Sequence, residues 1–177
     1  MSITLEYVKR GDTVIDATCG TGRDTLALAK AVGSEGVVFA FDIQQAAIEL
    51  TAERLCTNDI CNVKLIPDSF TSMNEHVPDD SASAVMFNLG YLPGGDHSIT
   101  TSADETIAGI ECAVRAIKPN GIVTIVMYDG HKAGTEEKRR VLEWAGGFDS
   151  GEYHVAYVNM LNQPNSPPEI MWITKKE

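Results

Sequence analysis

Residues 14–25, Val-Ile-Asp-Ala-Thr-Cys-Gly-Thr-Gly-Arg-Asp-Thr, constrain this chain more than any other stretch. A β-branched apolar run ends in an acid, a turn with two glycines follows, and then comes the alanine- and leucine-rich segment Leu26 to Val32. That order reads as strand, tight turn, helix. Gly20 and Gly22 let the backbone come close to a ligand, and the helix that follows aims unpaired N–H groups at it. Asp42 stands at the end of a second apolar run, Val37 to Phe41, twenty residues after Gly22. An acid there can accept hydrogen bonds from both hydroxyls of a ribose. The local pattern predicts a nucleoside-cofactor pocket at the first crossover of an α/β sheet.

The rest of the chain repeats the alternation. Strands are expected at 13–17, 37–41, 63–66, 82–87 and 122–127, with helices at 24–32, 44–57, a stripe of Ile107, Ile110, Val114 and Ile117, and 136–145. On the 44–57 helix, Ile43, Ala47 and Leu50 are spaced as an apolar face. A short helix or loop is expected at 69–75, and the Ile107 helix should stop before Pro119-Asn120-Gly121. Two final strands, 152–159 and 170–174, have no helix between them and predict a closing hairpin with one antiparallel strand. The fold class is therefore α/β: a Rossmann-like, doubly wound, mostly parallel seven-stranded sheet with a C-terminal antiparallel hairpin, forming a single domain over 1–177. In such sheets ligands bind outside the carboxyl ends of the strands. The loops 89–103, 129–135 and 162–168 should face one another at that edge, and long loops there are usually functional.

Composition narrows the classes. No apolar run reaches the ~18 residues needed to span a bilayer, and the N-terminal ten residues lack a signal-peptide core. A cytoplasmic protein is the expectation, with no membrane partner. The four cysteines, Cys19, Cys56, Cys61 and Cys112, form no C-x-x-C pair, so reduced thiols are expected instead of a disulfide framework or a metal site. A net charge of −11 disfavours broad nonspecific nucleic-acid binding but allows a local basic patch.

The element order and the Asp-x-x-x-Gly-x-Gly turn resemble a class I S-adenosylmethionine-dependent methyltransferase. Thr18 stands where the commoner turn has glycine, and Thr25 replaces the third glycine of a dinucleotide fingerprint. Three further stretches, 41–44 (Phe-Asp-Ile-Gln), 87–101 (Phe-Asn-Leu-Gly-Tyr-Leu-Pro-Gly-Gly-Asp-His-Ser-Ile-Thr-Thr) and 161–163 with Pro167-Pro168, resemble a small bacterial family long labelled putative rRNA methylase. Members of it methylate the amine of 5-aminomethyl-(2-thio)uridine at the wobble position of tRNA. The resemblance covers nearly the whole chain. Two stretches depart from it: Gly20-Thr21-Gly22, where the family has Gly-Asn-Gly, and Asp68-Ser69-Phe70, where it has Asp-Gly-His.

The resemblance implies S-adenosyl-L-methionine as cofactor and the tRNA anticodon stem-loop as partner. Cofactor contacts would come from Asp16, Gly20, Thr21, Gly22, Asp24, Asp42, Gln44, Asp68, Ser69 and Phe70. Asp16 would orient the turn and the methionine ammonium, or else only cap the helix entry. Asp24 is equally explained as an acid favoured by the helix dipole. Asp68 would read the adenine amino group and Phe70 would cover the adenine face or be ordinary core. Asn88 to Tyr91, Asn-Leu-Gly-Tyr, resembles the Asn-Pro-Pro-Tyr motif of amino-directed methyltransferases, with Asn88 and Tyr91 catalytic. A carbonyl there can hold an amine's N–H groups while leaving its lone pair free.

A free aminomethyl group has a pKa of roughly 10, so about one molecule in a thousand is uncharged at neutral pH. Asp96, His97 and Asp129 are candidate bases, with His97 as a shuttle. Leu89, Gly90, Pro93, Lys132, Arg139, Asn162 and Gln163 are expected to contact substrate. Lys132, Lys138, Arg139 and Arg140 could grip the RNA backbone, unless they only form a solvated face. Trp144, Tyr157 and Trp172 read as core. A homodimer would help a small domain hold a large RNA. The alternatives are an rRNA or small-molecule N- or O-methyltransferase, and a cofactor- or RNA-binding module without activity.

Overall fold

The computed structural model of the protein describes residues 2–89, 102–128, 132–163 and 167–177. A short helix α1 (Ser2–Glu6) leads into β1 (Thr13–Asp16), α2 (Arg23–Val32), β2 (Val37–Phe41), α3 (Gln45–Thr57) and β3 (Val63–Ile66). A 3-10 turn (Phe70–Ser72) and the one-turn α4 (Met73–His76) precede β4 (Ala82–Leu89). Then come α5 (Ala103–Ala116), β5 (Ile117–Met127), α6 (Lys132–Ala145), β6 (Tyr153–Val158) and β7 (Glu169–Lys175).

The seven strands form one sheet in the order β3-β2-β1-β4-β5-β7-β6. The first five are parallel, and β7 is antiparallel to both β5 and β6. The strand order reverses between β1 and β4, which opens the crevice at their carboxyl ends. Met127 at the end of β5 pairs with Glu169 at the start of β7. The β6–β7 connection therefore opens on the same edge as the loops after β1 and β4.

Alternate strand residues feed the two faces. Ile15, Phe39, Val85 and Phe87 point into the core shared with Phe70, Met73 and Ile110. Val14, Val38, Ala84 and Met86 pack with Leu28, Ala29 and Val32 of α2 on the other face. Both faces are covered, so the central strands read as continuous apolar runs. A buried pair, Thr4 Oγ1 to Thr124 Oγ1 at 2.9 Å, pins α1 across β5.

Several boundaries differ from the sequence expectation. β4 runs on to Leu89, so Leu89 belongs to the strand and not to the loop. α5 starts at a capping box in which Ser102 Oγ accepts from the Glu105 N–H and the Glu105 carboxylate accepts from the Ser102 N–H. β5 begins at Ile117, because the register against β4 jumps from Ala82–Ile117 to Ala84–Ile122. The extra residues bulge through Asn120, at φ 63°, so Pro119 sits inside the strand without a ladder partner. On α3 the buried face is Ala47, Ile48, Thr51 and Leu55. Ile43 and Leu50 are exposed, so the expected stripe through them is corrected. Thr51 supplies the inward contact that an apolar count overlooks.

Candidate functional site

Three elements meet at the crevice: the β1–α2 turn, the end of β2 and the end of β4. The turn is held from below by Asp16, fully buried at the end of β1. Its Oδ2 accepts the Thr25 hydroxyl at 2.6 Å and its Oδ1 accepts the Thr18 N–H at 3.3 Å. Thr25 is therefore a threonine because its hydroxyl serves the acid. Burial pushes the Asp16 carboxyl up to about 7, with the charges of Asp24 and Asp42 adding to it and the Thr25 and Thr18 hydrogen bonds opposing it.

The sign of this shift is testable. The native state binds the Asp16 proton more tightly than the unfolded chain does. That contribution to stability is full below the ordinary carboxylate value and is lost as pH rises through about 7. Relative to Asp16→Asn, the wild type should lose on the order of 3 kcal/mol between pH 4.5 and 7.5. Urea midpoints of the two proteins across that range provide the measurement.

The turn is held from the side by α3. Thr51 Oγ1 donates to the Gly20 carbonyl at 3.2 Å and lies 3.5 Å from Cys19 Sγ. Arg54 Nε donates to the Thr21 carbonyl at 2.6 Å. With the Gly20 carbonyl turned to α3, the trans geometry of the peptide aims the Thr21 N–H away from that helix. Gly20 and Gly22 take φ of 53° and 72°. A Cβ on Gly22 would lie 2.9 Å from the Thr51 backbone. Both glycines are thus required by conformation, and Gly22 by space as well. Arg54→Met should weaken cofactor binding about tenfold to a hundredfold, the worth of one charged hydrogen bond, and Arg54→Lys should recover part of it. Calorimetric titration reads both, with melting temperature as the control.

Asp42 is half-buried at the end of β2. Its Oδ2 accepts the Gly20 N–H at 3.0 Å and its Oδ1 accepts the Gln44 N–H at 3.0 Å. A carboxylate offers about four acceptor sites. Two hold the turn and the start of α3, and two are left for a ligand with adjacent hydroxyls. Gln44 itself is the N-cap of α3, with its carbonyl accepting from Ala47 and Ile48.

On β3's side, Asp68 is exposed, and the Ser69 N–H, its hydrogen-bond donor at 2.7 Å, holds its carboxyl below the usual range, helped by Ser72 and His76. Ser69 Oγ accepts from the Thr71 N–H and hydroxyl. Phe70 is only 8% exposed, packs edge-on against Phe87 at 5.4 Å and lies against Gly109. Its ring belongs to the core, the second of the two readings given to Phe70.

At the end of β4, the Asn88 N–H donates to Thr18 Oγ1 at 2.7 Å and its Nδ2 donates to Asp24 Oδ2 at 3.0 Å. The Ala17 N–H donates to the Met86 carbonyl just below. Thr18, the departure from glycine, extends the β1–β4 ladder by one side-chain rung. Leu89 is buried beside it and faces the core, not solvent. Gly90, Tyr91, Pro93, Asp96, His97 and Asp129 lie outside the described residues, as does the side chain of Lys132.

The basic run on α6 is not a free patch. Arg139 pairs with Glu136 and Glu143, both at 2.8 Å. Arg140 pairs with Asp104 at 2.5 Å, and Lys138 with Glu169 at 2.9 Å. Carboxylates thus pair with Lys138, Arg139 and Arg140, as in the solvated-face reading given beside the cationic grip. Asn162 and Gln163 are exposed on the β6–β7 connection at the crevice edge. Tyr157 is 40% exposed at the far edge strand, so it is not core. Trp144 and Trp172 are partly buried against the two cores. The cysteines are free thiols, with Cys19 and Cys112 buried. Among the described residues no helix is long and apolar enough to cross a membrane, and no cluster of three or more His, Cys, Asp or Glu could hold a metal ion.

Sequence reasoning missed Thr18, Thr25, Thr51 and Arg54. The first two stand where glycine was expected, and that departure was their only signal.

Comparison with known proteins agrees with this geometry. A putative rRNA-methylase from Clostridium thermocellum superposes with a TM-score of 0.95 at 43% identity, over 98% of this chain and 94% of that one. A putative methyltransferase from Streptococcus mutans, solved in complex with SAH, gives a TM-score of 0.89 at 32% identity, over 98% and 94%. A chloroplastic tRNA (mnm(5)s(2)U34)-methyltransferase of Arabidopsis thaliana is 40% identical over 97% of this chain, which spans 66% of that protein's length. The profile of the family described as "Putative rRNA methylase" matches residues 38–174. With three quarters of its length inside that profile, and with the seven-stranded class I methyltransferase sheet, the chain belongs to the "Putative rRNA methylase" family.

Proposed function

We propose that this protein is an S-adenosylmethionine-dependent RNA methyltransferase that methylates the aminomethyl nitrogen of a modified wobble uridine in tRNA. The observation that carries the reading is Asn88: a carboxamide at the end of β4, tied to the glycine turn through Thr18 and Asp24. The chloroplastic relative, named as a tRNA U34 methyltransferase, supports the substrate class. The relative solved with SAH supports the cofactor.

The residues present fit S-adenosylmethionine. Asp42 has acceptor capacity left for the ribose hydroxyls, the Thr21 N–H is turned away from α3, and Asp16 lies beneath the turn as an acid. The bound cofactor supplies a methyl group already activated by a sulfonium. The protein's own task is positioning, which can carry most of the rate. Asn88 accepts an N–H of the incoming amine and leaves the lone pair free for attack. The anticodon base is splayed out into the crevice, as in other readers of single-stranded RNA. Asn162 and Gln163, exposed on a connection that opens on the same edge of the sheet, are proposed to read the base edge.

The test is methyl transfer to undermethylated tRNA, followed by nucleoside mass spectrometry. The expected product is 5-methylaminomethyl-2-thiouridine. Asn88→Ala should lower kcat on the order of 100-fold, as the loss of one preorganised polar contact does elsewhere, with cofactor affinity unchanged. Unmodified tRNA alongside normal cofactor binding overturns the substrate assignment.

A second reading is a small-molecule N- or O-methyltransferase. The net charge of −11 and the neutralised α6 run favour it. Turnover of free amines without turnover of tRNA would select it.

A further inference from the structure

Each nitrogen of Asn88 already donates one hydrogen bond inside the protein. The backbone N–H goes to Thr18 and the side-chain NH2 to Asp24 Oδ2. The partner of the side chain decides its orientation. An ionised carboxylate only accepts. Turning the amide over would set its oxygen against the Asp24 oxygen and lose the hydrogen bond. With Nδ2 held at Asp24, the acceptor arm Oδ1 is kept off the carboxylate, and it takes no hydrogen bond among the described residues.

The consequence for a nucleophile is large. An amine that donates an N–H to Oδ1 keeps its lone pair available. An amide presented the other way would donate to that lone pair and mask it. We infer that Asp24 is a positioning residue: it fixes the Asn88 amide with its carbonyl toward the crevice, and so makes the site selective for a nucleophile that carries an N–H. This deepens the N-directed reading above and rests on it.

Asp24 lies in the first turn of α2, where the helix dipole alone would favour an acid. A dipole role would require no partner on β4. The 3.0 Å bond from Asn88 bridges 64 residues of sequence and joins the helix to the strand end.

Two measurements separate the outcomes. The first needs no catalysis. The side-chain amide resonances of Asn88, assigned by their absence in Asn88→Ala, should show one proton shifted downfield in the wild type and lose that shift in Asp24→Ala. Coincident resonances in the two proteins overturn the inference, whether or not tRNA is methylated.

The second is a double-mutant cycle on tRNA carrying 5-aminomethyl-2-thiouridine. Asp24→Asn can present either an acceptor or a donor to Asn88, so kcat should fall about tenfold while KM for S-adenosylmethionine stays within about twofold. In the Asn88→Ala background the same change should alter kcat less than about twofold. An equal loss in both backgrounds, or a loss confined to the KM for S-adenosylmethionine, assigns Asp24 to the cofactor and overturns the inference. An inactive wild type overturns the proposed substrate instead, and the resonances still judge the role of Asp24.

Discussion

Asp42→Ala should abolish measurable binding of S-adenosylmethionine. The carboxylate holds the Gly20 N–H and the Gln44 N–H at 3.0 Å each. It thereby sets both the turn beneath the cofactor and the start of α3, whose Thr51 and Arg54 hold the turn's carbonyls. Charge-assisted hydrogen bonds contribute about 1.5–3 kcal/mol each. Loss of the two internal ones and of the ribose contacts should raise Kd at least ~100-fold. Asp42→Asn keeps one acceptor oxygen and should lose roughly tenfold. Calorimetry on both variants gives the comparison. Equal, wild-type affinity in the two would remove Asp42 from the site.

Gly22→Ala should damage the protein twice over, through conformation and through space. The backbone at Gly22 has φ 72°, which costs an L-residue about 1–2 kcal/mol. The added carbon would also meet Thr51 Cα, Cγ2 and Oγ1 at 2.9 Å. One of those atoms is backbone, so α3 must shift away from the turn. A total loss of about 3 kcal/mol is expected, lowering the melting temperature by roughly 10 °C in a domain of this size. Adding Thr51→Ala should recover only part of it, because the clash with the α3 backbone remains. Thermal melts of the single and double variants test this, and cofactor binding should fail in both.

Much of the fold was legible because its signals are local. The β-branched run into Asp16 and the glycines after it each act on their own neighbourhood. Two strands without a helix between them predicted β6 and β7, and the antiparallel pairing follows from it. Asp42 was legible because the end of β2 must lie beside the end of β1 in a parallel pair.

What was illegible acts at a distance or through hydroxyls. The Arg54 bond to Thr21 spans 33 residues and the Thr18 bond to Asn88 spans 70. Neither leaves a period in the sequence. The α3 face was misread because Thr51, a polar residue, fills a fully buried position while Leu50 is exposed. The α6 run looked cationic because its neutralising partners include Asp104 and Glu169, on other elements. Phe70 was read from its place after Asp68, but edge-on packing against Phe87 decides where its ring goes.

The nine-residue segment from Asp16 to Asp24 begins at the acid under the donor's seat and ends at the carboxylate that turns the acceptor's carbonyl. Its middle, through the Thr18 hydroxyl, is stitched to the neighbouring strand end. Donor and acceptor cradles are thus machined from one short piece of backbone. A residue swap that slackens this piece for a new donor therefore also misaligns the nucleophile, so the donor's grip cannot be loosened without cost to the acceptor's.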